Sequence, residues 1–334
     1  MTFSQTINDA QFILAEGAII ERLRRDPSIP LPSSILNTAL LYTAEGPNIL
    51  RHIYREYLHI GFHHDLPMLV LTPTWRANPE RLAKAGLPAV TEVSEEAFRL
   101  LDQVRDGYGD YSKNIFVGGL MGCKGDAYRS AGALGEREAR LFHGPQANAL
   151  AQAKVDFLIA STLPAFTEAK GIAEVMAGTC VPYLLSFLVR GSGHLLDGTP
   201  LEEAVISIDA SVDRPPLCYL LNCVHPSVFE DALEAARGRD PGVLLRVIGL
   251  QANTSPKSPE ELKGSTQLEC EDPELFAARM MHLRLQFGTK IMGGCCGTDA
   301  RHIYSLARKI RELLPRQVTS ASQNEGGQRK SGRG

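Results

Sequence analysis

Gly293-Gly294-Cys295-Cys296-Gly297-Thr298 follows directly on the strand-like run Thr289-Lys290-Ile291-Met292. Glycine tolerates backbone angles that other residues avoid, so the stretch reads as a strand ending in a tight, irregular loop. Neighbouring side chains of a regular strand point to opposite faces, so the two thiols can reach one point only if the backbone bends between them. The flanking glycines permit that bend. A third cysteine, Cys223, ends another apolar run, Leu217-Cys218-Tyr219-Leu220-Leu221-Asn222. Three thiols at the ends of two strands suggest a metal site, and the arrangement of the remaining chain can be read outward from there.

Apolar runs recur at spacings that suit alternating strands and helices. Strands are expected over residues 12–15, 67–72, 114–118, 155–161, 181–188, 217–223, 243–249 and 289–293, and helical spacing fills 136–153, 166–176, 200–212 and 273–287. A last helix is expected over 300–314, with Thr298 or Asp299 as its N-cap. Eight strands alternating with helices in a chain of 334 residues fit an α/β fold of the (β/α)₈ barrel type, one domain spanning 1–315. The rival is a doubly wound open sheet, but Glu16-Gly17-Ala18 stands after the first strand where that fold would carry Gly-x-Gly-x-x-Gly. Residues 119–135 and 251–271 read as long loops at one rim, and 316–334 as a disordered polar and basic tail.

Composition excludes several classes. With 44% hydrophobic and 22% charged residues the chain is an ordinary globular one, and a net charge of −3 gives no reason to expect nucleic acid or an anionic membrane as partner. No signal-type start and no apolar run of membrane-spanning length is present, so a cytoplasmic location with reduced thiols is expected for the 7 cysteines.

Cys180, Cys218 and Cys270 are read as small buried apolar residues, and Cys123 is left unassigned. Cys295–Cys296 has a second reading as a vicinal disulfide. Together, Cys223, Cys295 and Cys296 suit Zn²⁺ with one position open. An iron–sulfur cluster would ordinarily take four cysteines, with close Cys-x-x-Cys spacings that the chain lacks. Three thiolates leave a Zn²⁺ site at a formal charge of −1, whereas three neutral histidines would leave it at +2. The thiolate site is the poorer Lewis acid for making hydroxide, and suits holding a fourth sulfur as a nucleophilic thiolate. A free thiol has a pKa of about 8.5, and metal binding removes the need to wait for its ionisation. The expected reaction is attack of a metal-held thiolate on an electrophilic carbon; it requires none of the 9 histidines.

These residues resemble the homocysteine S-methyltransferase family. The resemblance rests on Asn222-Cys223 and Gly293-Gly294-Cys295-Cys296-Gly297, and extends through Gly46 to Tyr57, Gly125-Asp126-Ala127-Tyr128, the helix with His143 and Gln146, Asp156 to Lys170, and on to Ile303. It implies a (β/α)₈ barrel that binds zinc and transfers a methyl group from a small-molecule donor, an onium compound or a folate, to a small-molecule thiol, homocysteine in typical members. The family usually has Asp-Gly-Gly or Asp-Gly-Ala where this chain has Glu16-Gly17-Ala18. The Glu16 carboxylate either faces a substrate ammonium or caps neighbouring backbone. The family's Glu-Thr after the fourth strand, whose glutamate helps hold the homocysteine amino group, is Ser161-Thr162 here. The hydroxyl loses the charge-assisted part of that contact, about 1 kcal/mol or more, so the acceptor is expected to be homocysteine, used weakly, or a related thiol.

The family's Thr-Asn-Thr-Tyr-Gln is similar to Thr72-Pro73-Thr74-Trp75-Arg76. Trp75 either lids the barrel mouth or offers a cationic donor a cation–π contact of roughly 0.5–2 kcal/mol. Arg76 would oppose such a donor, and is expected to point outward or to bind an anionic group. Asn222 and Asn253 complete the substrate-side set, Asn222 chiefly by orienting the Cys223 loop. Two other functions stay open at this point: a non-catalytic zinc- or thiol-binding barrel, and a zinc hydrolase.

Overall fold

The computed structural model describes residues 1–257, 261 and 270–314. It is a closed barrel of eight parallel strands in sequential order, β1 to β8. In chain order the elements are α1 (Phe3–Asp9), β1 (Ile13–Ala15), α2 (Ile20–Arg24), α3 (Gly46–His63), β2 (Met68–Leu71), α4 (Pro79–Lys84), α5 (Val90–Asp106), β3 (Ile115–Met121), α6 (Glu136–Gln152), β4 (Phe157–Leu163), α7 (Phe166–Gly178), β5 (Tyr183–Phe187), α8 (Leu201–Ser211), β6 (Cys218–Asn222), α9 (Pro226–Arg239), α10 (Val243–Arg246), β7 (Val247–Ala252), α11 (Pro273–Phe287), β8 (Ile291–Gly294) and α12 (Ala300–Leu313). Two 3₁₀ helices, Leu36–Tyr42 and Gly109–Asn114, join them. The barrel closes where Ile13 pairs with Ile291 and Leu14 with Met292.

The strands alternate between two buried layers. Ile13, Ala15, Leu69, Leu71, Phe116, Phe157, Ile159, Leu184, Cys218, Leu220 and Ile291 fill the barrel, while Leu14, Met68, Val70, Val117, Leu158, Leu185 and Met292 pack under the helices. This is why the strands read as continuous apolar runs rather than as alternating ones: a parallel sheet covered on both faces leaves no polar side. Helix α1 plugs the lower mouth, with the Phe3 ring stacked on Phe157 at 4.1 Å. Carrying the period of two upward puts Ser161 and Asn222 on the interior side at the opposite, C-terminal rim.

Each strand starts later than its sequence suggests, β7 by the most. Residues 243–249 read as a strand, but Val243–Arg246 form a helical turn and β7 occupies Val247–Ala252. A short apolar run is equally compatible with either state, and tertiary contacts decide it here. Arg246 pairs with Asp209 and donates to the carbonyl oxygens of Pro216 and Leu217, which pins the turn beneath the sheet. At the last helix Asp299, not Thr298, is the N-cap. The tail 316–334 and most of the loop 251–271 lie outside the described residues. None of the described helices is long and apolar enough to cross a membrane.

Candidate functional site

Cys223, Cys295 and Cys296 converge at the C-terminal rim, with their three sulfurs within 4.8 Å of one another. The local backbone explains how residues from two strands, two of them adjacent, reach one point. Cys223 leaves β6 with φ 58°, a left-handed conformation that turns its side chain out of the strand's alternation. Its N–H donates to the Gln251 carbonyl oxygen, and its own carbonyl accepts from the Asn253 amide at 3.0 Å. On the other side Cys295 N–H donates to the Ala252 carbonyl, and Thr254 N–H donates to that of Cys296. Gly297 at φ 85° makes the bend that returns the chain. Thr298 holds it: its hydroxyl donates to the Cys295 carbonyl at 2.6 Å and accepts from Ala18 N–H at 3.0 Å. A Cβ on Gly294 would lie 2.2 Å from that hydroxyl oxygen, so only glycine fits beside the threonine.

The sulfur geometry suits a tetrahedral thiophilic ion. Zinc–sulfur bonds of about 2.3 Å at tetrahedral angles place two sulfurs about 3.8 Å apart. Cys223 and Cys296 stand 3.7 Å apart. Charge points the same way. Hydrogen bonds from Cys295 and then Cys296 hold the Cys223 thiol well below its ordinary pKa. The same contacts with Cys223 push Cys295 well up and Cys296 to about 12. One sulfur is thus favoured as a thiolate at the expense of the other two, and ionising all three together calls for a cation among them. The four other cysteines take no part. Cys218 is buried inside the barrel far below the rim and Cys123 is buried in the β3 loop, whereas Cys180 and Cys270 are exposed, contrary to their reading as buried apolar residues.

A fourth residue joins the sulfurs, and spacing gave no sign of it. The Tyr128 phenol lies 2.8 Å from the Cys223 sulfur. Tyr128 sits on the loop after β3, which is clamped from behind. Buried Glu168 accepts from Lys124 N–H at 2.7 Å, Leu134 N–H at 3.3 Å and His143 at 2.8 Å. From the same helix as His143, Gln146 donates to the Thr74 carbonyl, tying the β2 and β3 rims together.

The sulfurs form one wall of a pocket open to solvent, whose lining includes Glu16, Trp75, Arg76, Tyr128, Ser161, Thr162 and Asn222. The residues read from sequence as substrate-side fall in three groups. Glu16 and Ser161 line the pocket. One Glu16 carboxylate oxygen accepts from Leu71 N–H at 3.0 Å, and burial pushes its pKa well up. The Ser161 hydroxyl is buried and has no hydrogen-bond partner among the described residues. Asn222 and Asn253 act on the framework. Asn222 accepts from Thr162 N–H and the Ser186 hydroxyl and donates to the Thr162 hydroxyl, while Asn253 holds the Cys223 carbonyl. Asn222 also lines the pocket. Trp75 stands half-buried at the mouth, its indole N–H donating to the Ser161 carbonyl at 3.2 Å. The Arg76 guanidinium covers its face at 4.9 Å from the ring centroid. Arg76 thus turns to the pocket rather than away from it, and the indole surface read as a seat for a cationic donor carries a cation already.

Comparison with known proteins gives a consistent picture. The family model described as homocysteine S-methyltransferase matches residues 13–310. A homocysteine S-methyltransferase of Bacillus subtilis, YbgG, is 24% identical over 316 residues, covering 90% of this chain and 95% of its own. The homocysteine S-methyltransferase of Escherichia coli is 25% identical over 318 residues, covering 90% and 96%. Among solved structures, the metallated form of the E. coli homocysteine methyltransferase MmuM superimposes with a TM-score of 0.74 at 22% identity, over 91% of this chain and 98% of that one. At that identity the likeness shows the barrel they share.

Proposed function

The chain belongs to the homocysteine S-methyltransferase family, and from that premise we propose that it is a zinc-dependent thiol S-methyltransferase, with Cys223, Cys295 and Cys296 as the metal ligands. The observation that carries this reading is the convergence of three sulfurs, spaced for a tetrahedral ion, on a pocket open to small molecules. When bound, Zn²⁺ would supply a fourth position at which an incoming thiol, with an ordinary pKa of about 8.5, is held ionised at neutral pH.

The chain's own side chains do the rest. Tyr128 orients the Cys223 sulfur by its hydrogen bond. Asn253 and Thr298 lock the backbone carbonyls of Cys223 and Cys295, so the sulfurs keep their spacing without a ligand. Ser161 offers the acceptor a neutral hydroxyl beside the sulfurs. Trp75 and Arg76 narrow the mouth above it, limiting water around the reacting atoms. In the transfer, the acceptor sulfur forms a bond to the donor's methyl carbon while the bond from that carbon to the donor atom breaks, its electron pair leaving with the donor. No side chain has to remove a proton during this step, because the acceptor enters it already ionised. The rate is supplied by alignment of two small molecules in one pocket.

The test is elemental analysis of freshly purified, reduced protein, followed by mass-spectrometric screening of pairs of methylated donors and thiols. One zinc per chain and a methylated thiol are expected. Protein free of metal that methylates no thiol would overturn the reading.

A further inference from the structure

The pocket above the sulfurs holds two guanidiniums that methyl transfer does not call for. Arg24 and Arg76 both line it, and neither has an ion pair among the described residues. The neighbouring guanidiniums are committed elsewhere: Arg22 to Glu56, Arg25 to Glu21, and Arg81 to the carbonyl oxygens of Ser34 and Lys124. Arg76 is held flat against Trp75, a side chain that itself is hydrogen-bonded to the β4 rim. Burial lowers its pKa, and repulsion from Arg81 and Arg24 adds to this. A bound anion would relieve both. The acids lining the same pocket do not supply one. Glu21 is taken by Arg25 and by Gly297 N–H. Glu16 lies deep in the rim with one oxygen on Leu71 N–H.

The pocket is equally poor in partners for a substrate cation. Ser161 has a buried hydroxyl without a partner among the described residues, and a hydroxyl serves an anion or a neutral group without contributing charge. An ammonium entering here would meet two guanidiniums of like sign and, for a carboxylate, only the second oxygen of the buried Glu16.

We propose that the acceptor is a thiol bearing a carboxylate and no free ammonium, its acid group bound by Arg76 with Arg24 at the pocket mouth and its chain passing the Ser161 hydroxyl toward the sulfurs. This rests on the thiol-methyltransferase reading and specifies its substrate. The thiol proton goes to solvent on binding. The sulfur then gains the methyl group, the donor keeps the electron pair of the broken bond, and the product is a methylthio acid. Arg76 is on this account a specificity-determining residue.

Binding of three thiols that differ only in charge tests the assignment, measured by calorimetry on the zinc-loaded full chain. They are γ-mercaptobutyrate, with the acid alone, homocysteine, with acid and ammonium, and γ-mercaptopropylamine, with the ammonium alone. The acid should bind about tenfold tighter than homocysteine, the scale of one charge-assisted contact, with the amine weakest. Arg76→Gln should remove most of that preference and strengthen rather than weaken binding of the amine, and Arg24→Gln, on an exposed side chain, should act in the same direction. Homocysteine binding as tightly as the acid, or a preference untouched by both substitutions, would overturn the proposal. So would an Arg76→Gln effect confined to the Michaelis constant of a carboxylate-bearing donor. Methylation of all three thiols alike defeats this inference alone, whereas failure of the zinc-loaded chain to bind any of them defeats the methyltransferase reading beneath it.

Discussion

The phenol oxygen of Tyr128 and the sulfur of Cys223 lie 2.8 Å apart, although 95 residues separate them in the chain. The contact joins the loop after β3 to the metal-ligand loop after β6, so the ordering of one is coupled to the other. Burial and the neighbouring sulfurs push the Tyr128 pKa well up, which keeps the phenol protonated and a donor to a thiolate. Partners that orient a metal ligand are typically worth about 10–100-fold in metal affinity. Tyr128→Phe should therefore keep one zinc per chain at saturation but lose it to a chelator at roughly tenfold lower competitor concentration. Chelator competition followed by a metal-sensitive dye measures this, and an unchanged affinity would mean the phenol does not orient the ligand.

Each of Cys223→Ala, Cys295→Ala and Cys296→Ala should abolish zinc binding, because two remaining thiolates do not make a closed site at neutral pH. Cys123→Ala, at a thiol buried away from the three sulfurs, should leave the stoichiometry unchanged. Elemental analysis of the four variants separates a three-sulfur site from any other assignment.

Ser161→Glu should favour homocysteine. The substitution puts a carboxylate where the unpartnered hydroxyl stands and gives an ammonium a charged neighbour. A charge-assisted hydrogen bond contributes about 1.5–3 kcal/mol. The ratio of kcat/KM for homocysteine to that for γ-mercaptobutyrate should therefore rise by about tenfold or more. A ratio that does not move would show that position 161 does not face the substrate's α-carbon substituents.

The Glu168 clamp makes a prediction in pH. Burial raises the carboxyl's pKa, but hydrogen bonds from His143 and from Lys124 and Leu134 N–H more than offset it, and the folded value lies below the ordinary one. A carboxylate depressed in the folded state contributes stability above its unfolded pKa of about 4.3, and that contribution is lost as pH falls through the folded value. Glu168→Gln should lower the melting temperature at neutral pH, since three donors would then meet a neutral oxygen. The gap to the parent should close as pH falls below about 4.3. Melting curves across that range, followed by circular dichroism, check the sign.

The barrel was legible because its determinants repeat. Apolar runs buried on both faces and helical spacing between them recur along the chain, so misplacing one element, as at residues 243–249, leaves the count of strands intact. The three sulfurs were legible for a related reason: glycines around Cys295 and Cys296 announce a bend, and Cys223 ends a strand of recognisable type. Asn222 was read as a brace for the Cys223 loop; its amide bonds instead to Thr162 and Ser186, joining the end of β6 to β4 and β5. Glu16 caps Leu71 N–H, one of its two readings, and it also lines the pocket.

Tyr128, Arg24 and the inward turn of Arg76 were not legible. Each depends on where a loop side chain points once distant segments have closed on it, and no periodicity records that. By itself the sequence determined the fold class and which cysteines could act together, since burial period and backbone freedom are local properties of neighbouring residues. Only the tertiary structure decided what lines the pocket beside those sulfurs: a phenol, a neutral hydroxyl and two guanidiniums without an ion pair among the described residues. Such neighbours are selected by long-range packing, whose energy belongs to pairs of segments rather than to either one alone.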